Sequence, residues 1–122
     1  MTSPAASRRK GAAAEIAWCD WLNGQGRTAV RVRLNGVDDL GDVHEYRDFG
    51  LSANASTVIV YEVKSTTRLD LPGALRELDR EVENVRRVKP TGQVVGALVI
   101  RPRGVTDPAL WPVIQRAQEW KP

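Results

Sequence analysis

Residues 57–66 read Thr-Val-Ile-Val-Tyr-Glu-Val-Lys-Ser-Thr, and the rest of the chain is organised around this segment. Its β-branched run predicts a strand that is buried on both faces, as in the centre of a layered α/β domain. Side chains alternate along a strand, so Glu62 and Lys64 share one face, about 7 Å apart along the chain. Opposite charges at the end of an apolar strand indicate a functional site; the plain alternative is an ion pair at a sheet end.

The segment before this strand predicts one helix and two further strands. Residues 9–23 carry apolar side chains at helical spacing and are followed by glycines, which predicts a first helix. Residues 27–34 and 42–48 predict the first and second strands, and residues 57–64 form the third. Glu15 lies at the edge of the core-facing stripe of the helix, which makes it a candidate functional residue. It also fits a surface glutamate that the helix dipole favours.

The segment after this strand predicts two helices and one strand. Asp70 is a typical helix N-cap, and apolar residues at near-heptad spacing extend the second helix to about Val88. The nearly continuous apolar run 93–100 predicts a buried fourth strand. The sequence Thr106-Asp107-Pro108 predicts the start of a last helix that runs to about Glu119.

This order, α-β-β-β-α-β-α, predicts an α/β fold with a central mixed sheet of four strands flanked by helices. A chain of 122 residues suits one domain, residues 8–122, after a flexible tail at residues 1–7. The single cysteine, Cys19, forms no internal disulfide, and the sequence has neither a secretory h-region nor 18 consecutive apolar residues. We therefore expect a cytoplasmic protein without a membrane partner.

The net charge of +3 is unevenly distributed along the chain. Lysine, arginine, aspartate and glutamate give +4 for residues 1–33, −4 for residues 34–64 and +3 for residues 65–122. An acidic middle between basic ends is the pattern of a metal site within a polyanion-binding surface. Taken alone, the charge pattern fits ordinary solvated surfaces better.

Three carboxylates and one lysine form a candidate catalytic set. If the second and third strands pair as a hairpin, Asp42 lies close to Glu62 and Lys64, and Glu15 comes from the first helix. Phosphodiester cleavage uses a hard cation such as Mg²⁺ or Mn²⁺ held by one or two carboxylates, a role that Asp42 and Glu62 suit. Lys64 suits positioning or deprotonating the attacking water. Asp42 also fits an ordinary strand-start aspartate, and Asp39 is the reserve candidate.

These motifs resemble those of the PD-(D/E)xK nuclease superfamily. The matching parts are Gly41-Asp42, Glu62-Val63-Lys64 and Glu15 on the preceding helix. Within the superfamily, Arg9-Lys10-Gly11 and Trp21-Leu22 resemble the archaeal-type Holliday junction resolvases and their phage or bacterial relatives. The chain departs from that pattern by a glycine where the first motif has proline, and by the lack of a serine in the loop before it.

The resemblance implies a restriction-endonuclease-like core and a Mg²⁺- or Mn²⁺-dependent DNA endonuclease. The implied enzyme is a homodimer that acts on branched or junction DNA in recombination or repair. The implied catalytic residues are Glu15, Asp42, Glu62 and Lys64, with Asp42, Glu62 and Glu15 as metal ligands. The residues expected to contact DNA are Arg8, Arg9, Lys10, Arg31, Arg33, Ser65 and Thr66.

Other interpretations of the same residues stay open. The chain could be a restriction- or repair-type nuclease acting on duplex, flap or DNA ends. It could also be a noncatalytic DNA-binding protein that kept the nuclease fold, or a structural protein that touches no nucleic acid. The basic residues fit a solvated tail and face equally well, His44 fits an ordinary strand residue better than a base, and the four tryptophans fit a core or a dimer seam.

Overall fold

The computed structural model describes residues 4–32, 39–48, 56–67, 69–89 and 92–120, with side chains described from residue 11 onward except that of Asp48. Arg33 lies outside the described residues. The helix backbone is described at the three basic residues near the N-terminus, but their side chains lie outside the description; these are Arg8, Arg9 and Lys10.

The described residues form two α-helices and five strands. The elements in chain order are α1 (Pro4–Gly24), β1 (Thr28–Arg31), β2 (Val43–Asp48), β3 (Ser56–Ser65), α2 (Leu71–Val88), β4 (Gln93–Arg101) and β5 (Val113–Ile114). The first two helices and the first four strands are confirmed within a few residues at most boundaries. The largest difference is at α1, which begins at Pro4, inside the segment 1–7 expected to be a tail.

The strands form one mixed sheet in the order β1-β2-β3-β4-β5. β1, β2 and β3 pair antiparallel, and Val43 stands opposite Tyr61. β3 and β4 pair parallel, with α2 as the crossover between them, and Lys64 stands opposite Ile100. The predicted central strand therefore has a neighbour on each side.

Each face of the sheet has its own apolar core. On one face α1 packs against β3, where Trp18 and Leu22 join Ile59 and Tyr61. On the other face α2 packs against β3, where the buried residues include Val58, Val60, Leu78 and Val82. Because side chains alternate along a strand, Glu62 and Lys64 belong to the face that α2 covers.

The predicted last helix is wrong, and with it the count of four strands. A single 3-10 turn, Pro108–Leu110, starts at the Asp107 cap, and β5 then pairs antiparallel with β4. Pro112 prevents a helix from continuing because it lacks an N–H and clashes with the preceding turn. Its carbonyl oxygen accepts a hydrogen bond from Ile100 at 2.9 Å. The short strand β5 covers the edge of β4, and the order ends β-β rather than β-α.

Cys19 is a free, buried thiol in the core beneath α1. Within the described part of the chain, neither helix is both long and apolar enough to cross a lipid bilayer.

Candidate active site

The hairpin register places Asp42 beside the end of β3. Its backbone N–H donates to the Tyr61 carbonyl at 2.9 Å, which continues the β2–β3 ladder by one residue. Its side-chain Oδ2 accepts a hydrogen bond from the backbone N–H of Val63 at 2.8 Å. Val63 lies between Glu62 and Lys64, so this bond fixes the Asp42 carboxylate against the segment that carries both charges.

Gly41 allows the chain to enter β2 at this point. Its φ is +91°, a conformation that L side chains rarely adopt. A Cβ at this position would lie 2.6 Å from Cγ1 of Val60 and 3.9 Å from Oε1 of Glu81. Proline, whose φ is fixed near −65°, does not fit this backbone. The departure from the motif that precedes Asp42 therefore has a structural reason.

Glu62 and Lys64 form an ion pair that leaves one carboxylate oxygen without a donor. Lys64 Nζ lies 3.2 Å from Glu62 Oε1 and 3.0 Å from Glu77 Oε2. Glu62 is buried, with 5% of the residue exposed, and no hydrogen-bond donor among the described residues reaches its Oε2. The ion pair expected as the plain alternative is present. It engages Oε1 of Glu62 but not the buried Oε2.

Glu15 reaches Asp42 from α1. Its half-buried side chain accepts a hydrogen bond from Arg31 Nη2 at 2.8 Å, and it interacts with the Asp42 carboxyl group. The structure thus brings together all four members of the sequence-derived catalytic set, with Asp42 next to both Glu15 and Glu62. Arg31, which was expected to contact DNA, forms an ion pair with Glu15, and its side chain stays partly exposed.

The site gathers acidic side chains away from water. Burial, followed by the charge of Glu62, raises the pKa of Asp42 to about 8; Glu15 contributes to this rise, and the Val63 N–H opposes it. Burial also raises the pKa of Glu62, although Glu81 and Lys64 counteract it. Burial alone would lower the pKa of Lys64, but the neighbouring glutamates outweigh it and raise the pKa. The lysine therefore carries its charge at neutral pH.

Two carboxylates of α2 were missed from the sequence. Glu81 is fully buried, and neither of its oxygens has a hydrogen-bond partner among the described residues. Burial, followed by Glu62 and Asp39, raises the pKa of Glu81 to about 11. One oxygen each of Asp39, Glu77 and Glu81 lies within 4.8 Å of the others. Glu81 stands three residues after Leu78 in the apolar stripe of α2, and this position was the signal that could have revealed it.

Ser65 and Thr66, which were expected to contact DNA, lie at or just after the end of β3. Both are exposed; the Ser65 hydroxyl accepts a hydrogen bond from Thr67 N, and the Thr66 hydroxyl accepts one from Arg103 N, both at 3.2 Å.

His44 on β2 is buried, and burial lowers its pKa. Its Nε2 donates to the Leu40 carbonyl at 2.6 Å, which makes it a structural residue rather than a base.

The tryptophans divide between the core and the surface. Trp18 stacks with Trp21 and Trp111 at centroid distances of 5.1 and 6.3 Å, and Trp18 and Trp111 are buried. Trp120 is exposed. The expectation of a tryptophan core holds for the buried residues of this cluster.

The donor set fits a hard divalent cation. The groups that converge are carboxylates, and oxygen ligands are those that Mg²⁺ and Mn²⁺ prefer. Ionised carboxylates only accept hydrogen bonds, so the buried oxygens of Glu62 and Glu81 require either a proton or a cation between them. A bound cation would also relieve the repulsion between Asp42 and Glu62.

Comparison with known proteins supports the fold. No protein-family model matches the chain, and no curated protein matches it. The fold is similar to that of Archaeoglobus fulgidus Hjc, a Holliday junction resolvase from an archaeal hyperthermophile, with a TM-score of 0.55 and 17% sequence identity. The match covers 86% of this chain and 76% of that one. The chain therefore has a mixed α/β, nuclease-like fold, in agreement with the resemblance seen in its motifs.

Proposed function

We propose that the chain is a metal-dependent DNA endonuclease of the Holliday junction resolvase type. The observation that carries this proposal is the position of Asp42, whose carboxylate is fixed against Val63 between Glu62 and Lys64. The PD-(D/E)xK motifs that the sequence resembles imply these three side chains at one sheet end. The fold similarity to Hjc supports the same reaction class.

Asp42 and Glu62 would hold Mg²⁺ or Mn²⁺, with Glu15 as a further ligand. When bound, such a cation neutralises phosphate charge and lowers the pKa of its water. The Val63 N–H orients the Asp42 carboxylate and keeps one of its oxygens occupied, which leaves the other for the cation. Burial of Glu62 in the α2-side core limits its motion, so the ligands are held before DNA arrives.

Lys64 acts as a fixed positive charge in this proposal. Its raised pKa keeps it protonated, so it donates hydrogen bonds to water or to a phosphate oxygen rather than removing a proton. Two glutamates hold the ammonium group near the rim of the sheet, where the side chain remains partly exposed. It is therefore within reach of a backbone phosphate that enters from solvent.

The proposed substrate is branched DNA, and the proposed assembly is a homodimer in the cytoplasm. A four-way junction has near two-fold symmetry, so two copies would present two sites for paired cuts. Ser65 and Thr66, exposed next to Lys64, would contact the DNA backbone. Arg31, Arg33 and the basic start of α1 would extend this contact.

Cleavage of three DNA substrates side by side tests the proposal. A labelled four-way junction, a flap and a linear duplex are incubated with the chain and Mg²⁺ or Mn²⁺, and the products are separated by size. Preferred cleavage of the junction supports the resolvase type. Preferred cleavage of the flap or duplex favours a repair- or restriction-type nuclease. Binding without any cleavage favours a noncatalytic DNA-binding protein.

A further inference from the structure

A second group of carboxylates lies next to Glu62, on the face of the sheet that α2 covers. Asp39 precedes β2, and Glu77 and Glu81 lie one turn apart on α2. One oxygen from each lies within 4.8 Å of the other two. Asp39 and Glu77 are half-buried, and Glu81 is inaccessible to solvent. The group therefore has a closed inner end at Glu81 and an open rim at the other two residues.

The nearby positive charge does not match these carboxylates. Lys64 reaches Glu62 and Glu77, and the described residues place no lysine or arginine within ion-pair distance of Asp39 or Glu81. Asp39 accepts a backbone hydrogen bond from Gly41 at 2.9 Å, which orients it without adding charge. Within the part of the chain that the structure describes, one ammonium group thus pairs with two of the four acidic side chains of this region, Glu62 and Glu77.

The buried oxygens supply independent evidence for a ligand. Both oxygens of Glu81 and Oε2 of Glu62 are buried without a hydrogen-bond donor among the described residues. A buried carboxylate without a partner is costly, since burial normally requires pairing or metal coordination. These oxygens belong to two elements, β3 and α2, that pack face to face. They therefore need a hydrogen-bond donor or a cation between the two elements.

We propose that Asp39, Glu77 and Glu81 form a second site for a hard divalent cation. Three carboxylate oxygens suit Ca²⁺, Mn²⁺ or Mg²⁺, which prefer oxygen ligands, and the set offers no nitrogen or sulfur for softer metals. The ion enters from the rim at Asp39 and Glu77 and completes its coordination with water there. The site does not include Asp42 or Glu15, so it stands whether or not the chain cleaves DNA.

This site bears on Lys64 through Glu77. The lysine now divides its interactions between Glu62 and Glu77, at 3.2 and 3.0 Å. A cation bound by Glu77 competes with the ammonium group for that carboxylate. The second site therefore loosens one of the two restraints on Lys64 while it leaves the contact with Glu62 in place.

Mn²⁺ binding without DNA tests the second site. Titrations followed by the electron paramagnetic resonance signal of free Mn²⁺ at pH 7.5 use Asp42→Asn as the starting variant, because it removes a ligand of the proposed catalytic site only. We expect this variant to bind about one Mn²⁺ per chain. Adding Glu77→Gln, at a residue on the open rim, should weaken that binding by about tenfold or more, and Glu81→Gln should do the same.

Glu83→Gln is the matched control, because Glu83 is an exposed glutamate on the same helix that pairs with Arg86. It should leave Mn²⁺ binding unchanged in the Asp42→Asn chain. Absence of Mn²⁺ binding by Asp42→Asn, or equal binding by the Glu77→Gln and Glu83→Gln chains, overturns the second site and leaves shared protons as the state of these carboxylates. A chain that binds the ion but cuts no DNA contradicts the proposed nuclease alone.

Discussion

The Asp42 carboxylate accepts the backbone N–H of Val63 at 2.8 Å, so the residue between Glu62 and Lys64 positions the neighbouring acid. Backbone pairing between β2 and β3 makes this contact possible, since Asp42 N also donates to the Tyr61 carbonyl. The candidate site therefore depends on the register of one hairpin.

Two substitutions of Asp42 distinguish the effect of its charge from the effect of its hydrogen bond. Asp42→Asn keeps an oxygen that can accept the Val63 N–H but loses the carboxylate, so we expect a folded chain with cleavage reduced by about a thousandfold. Asp42→Ala also loses the hydrogen bond, so we expect its free energy of unfolding to be about 1–2 kcal/mol lower. Junction cleavage rates and urea denaturation measure both effects. An Asn variant that cuts at the wild-type rate would remove Asp42 from the mechanism.

Substitution of Gly41 should destabilise the chain. Gly41→Ala places a Cβ 2.6 Å from Val60 at a φ of +91°, and we expect a loss of about 2–4 kcal/mol of unfolding free energy. Gly11→Ala is the control because Gly11 lies in α1 with open space around it, and alanine there should stabilise the helix by about 0.5–1 kcal/mol. Equal effects in urea denaturation would contradict the proposed role of Gly41.

The stability of the metal-free protein should fall as pH rises. The pKa of Asp42 is raised to about 8 and that of Glu81 to about 11, both above the values of unfolded carboxyl groups. Each group therefore stabilises the fold fully below about pH 4 and loses that contribution as pH rises toward its folded pKa. With EDTA, we expect a lower Tm at pH 8 than at pH 5. A Tm that is equal or higher at pH 8 would contradict the charged cluster.

Glu81→Gln should stabilise the metal-free protein. The amide keeps the shape of the side chain, removes the buried acid and can donate to Glu62, so at pH 8 with EDTA we expect a gain of about 1–3 kcal/mol. Glu83→Gln, on the exposed side of α2, should change stability by less than about 0.5 kcal/mol. Denaturation of the two variants in parallel measures the difference. A loss of stability in Glu81→Gln would show that the glutamate is already satisfied.

Sequence patterns predicted the elements whose signals are local and consistent. The β-branched run of β3 and the Asp70 cap of α2 each identified their element, and the Asp70 side chain accepts from Gly73 N as an N-cap does. The same kind of cap at Asp107 was misleading, because such a cap can begin a 3-10 turn as well as an α-helix. Here it begins the 3-10 turn Pro108–Leu110. Pro112 and the β-branched pair after it decide that segment through pairing with β4, which is a tertiary effect.

The candidate site was predictable where its residues follow one another in a motif. Glu62 and Lys64 were found from strand alternation, and Asp42 from the hairpin. Glu77 and Glu81 were missed because α2 was interpreted only by its apolar stripe. The role of a carboxylate within that stripe depends on the side chains of β3 that pack against it, and the sequence of α2 does not reveal these. The contact of Arg31 with Glu15 depends on how β1 packs against the preceding helix α1, which no local pattern encodes.

Cleavage of a synthetic four-way junction by the wild-type chain and by the Asp42→Ala, Glu62→Ala double variant tests whether these two carboxylates drive DNA cleavage. The reactions contain Mg²⁺ or Mn²⁺, and Glu83→Ala serves as the control variant. We expect the wild type and the control to cut the junction, and the double variant to cut it at least about a thousandfold more slowly while it remains folded. Cleavage by the double variant at the wild-type rate, or no cleavage by the wild type with either ion, would contradict the account.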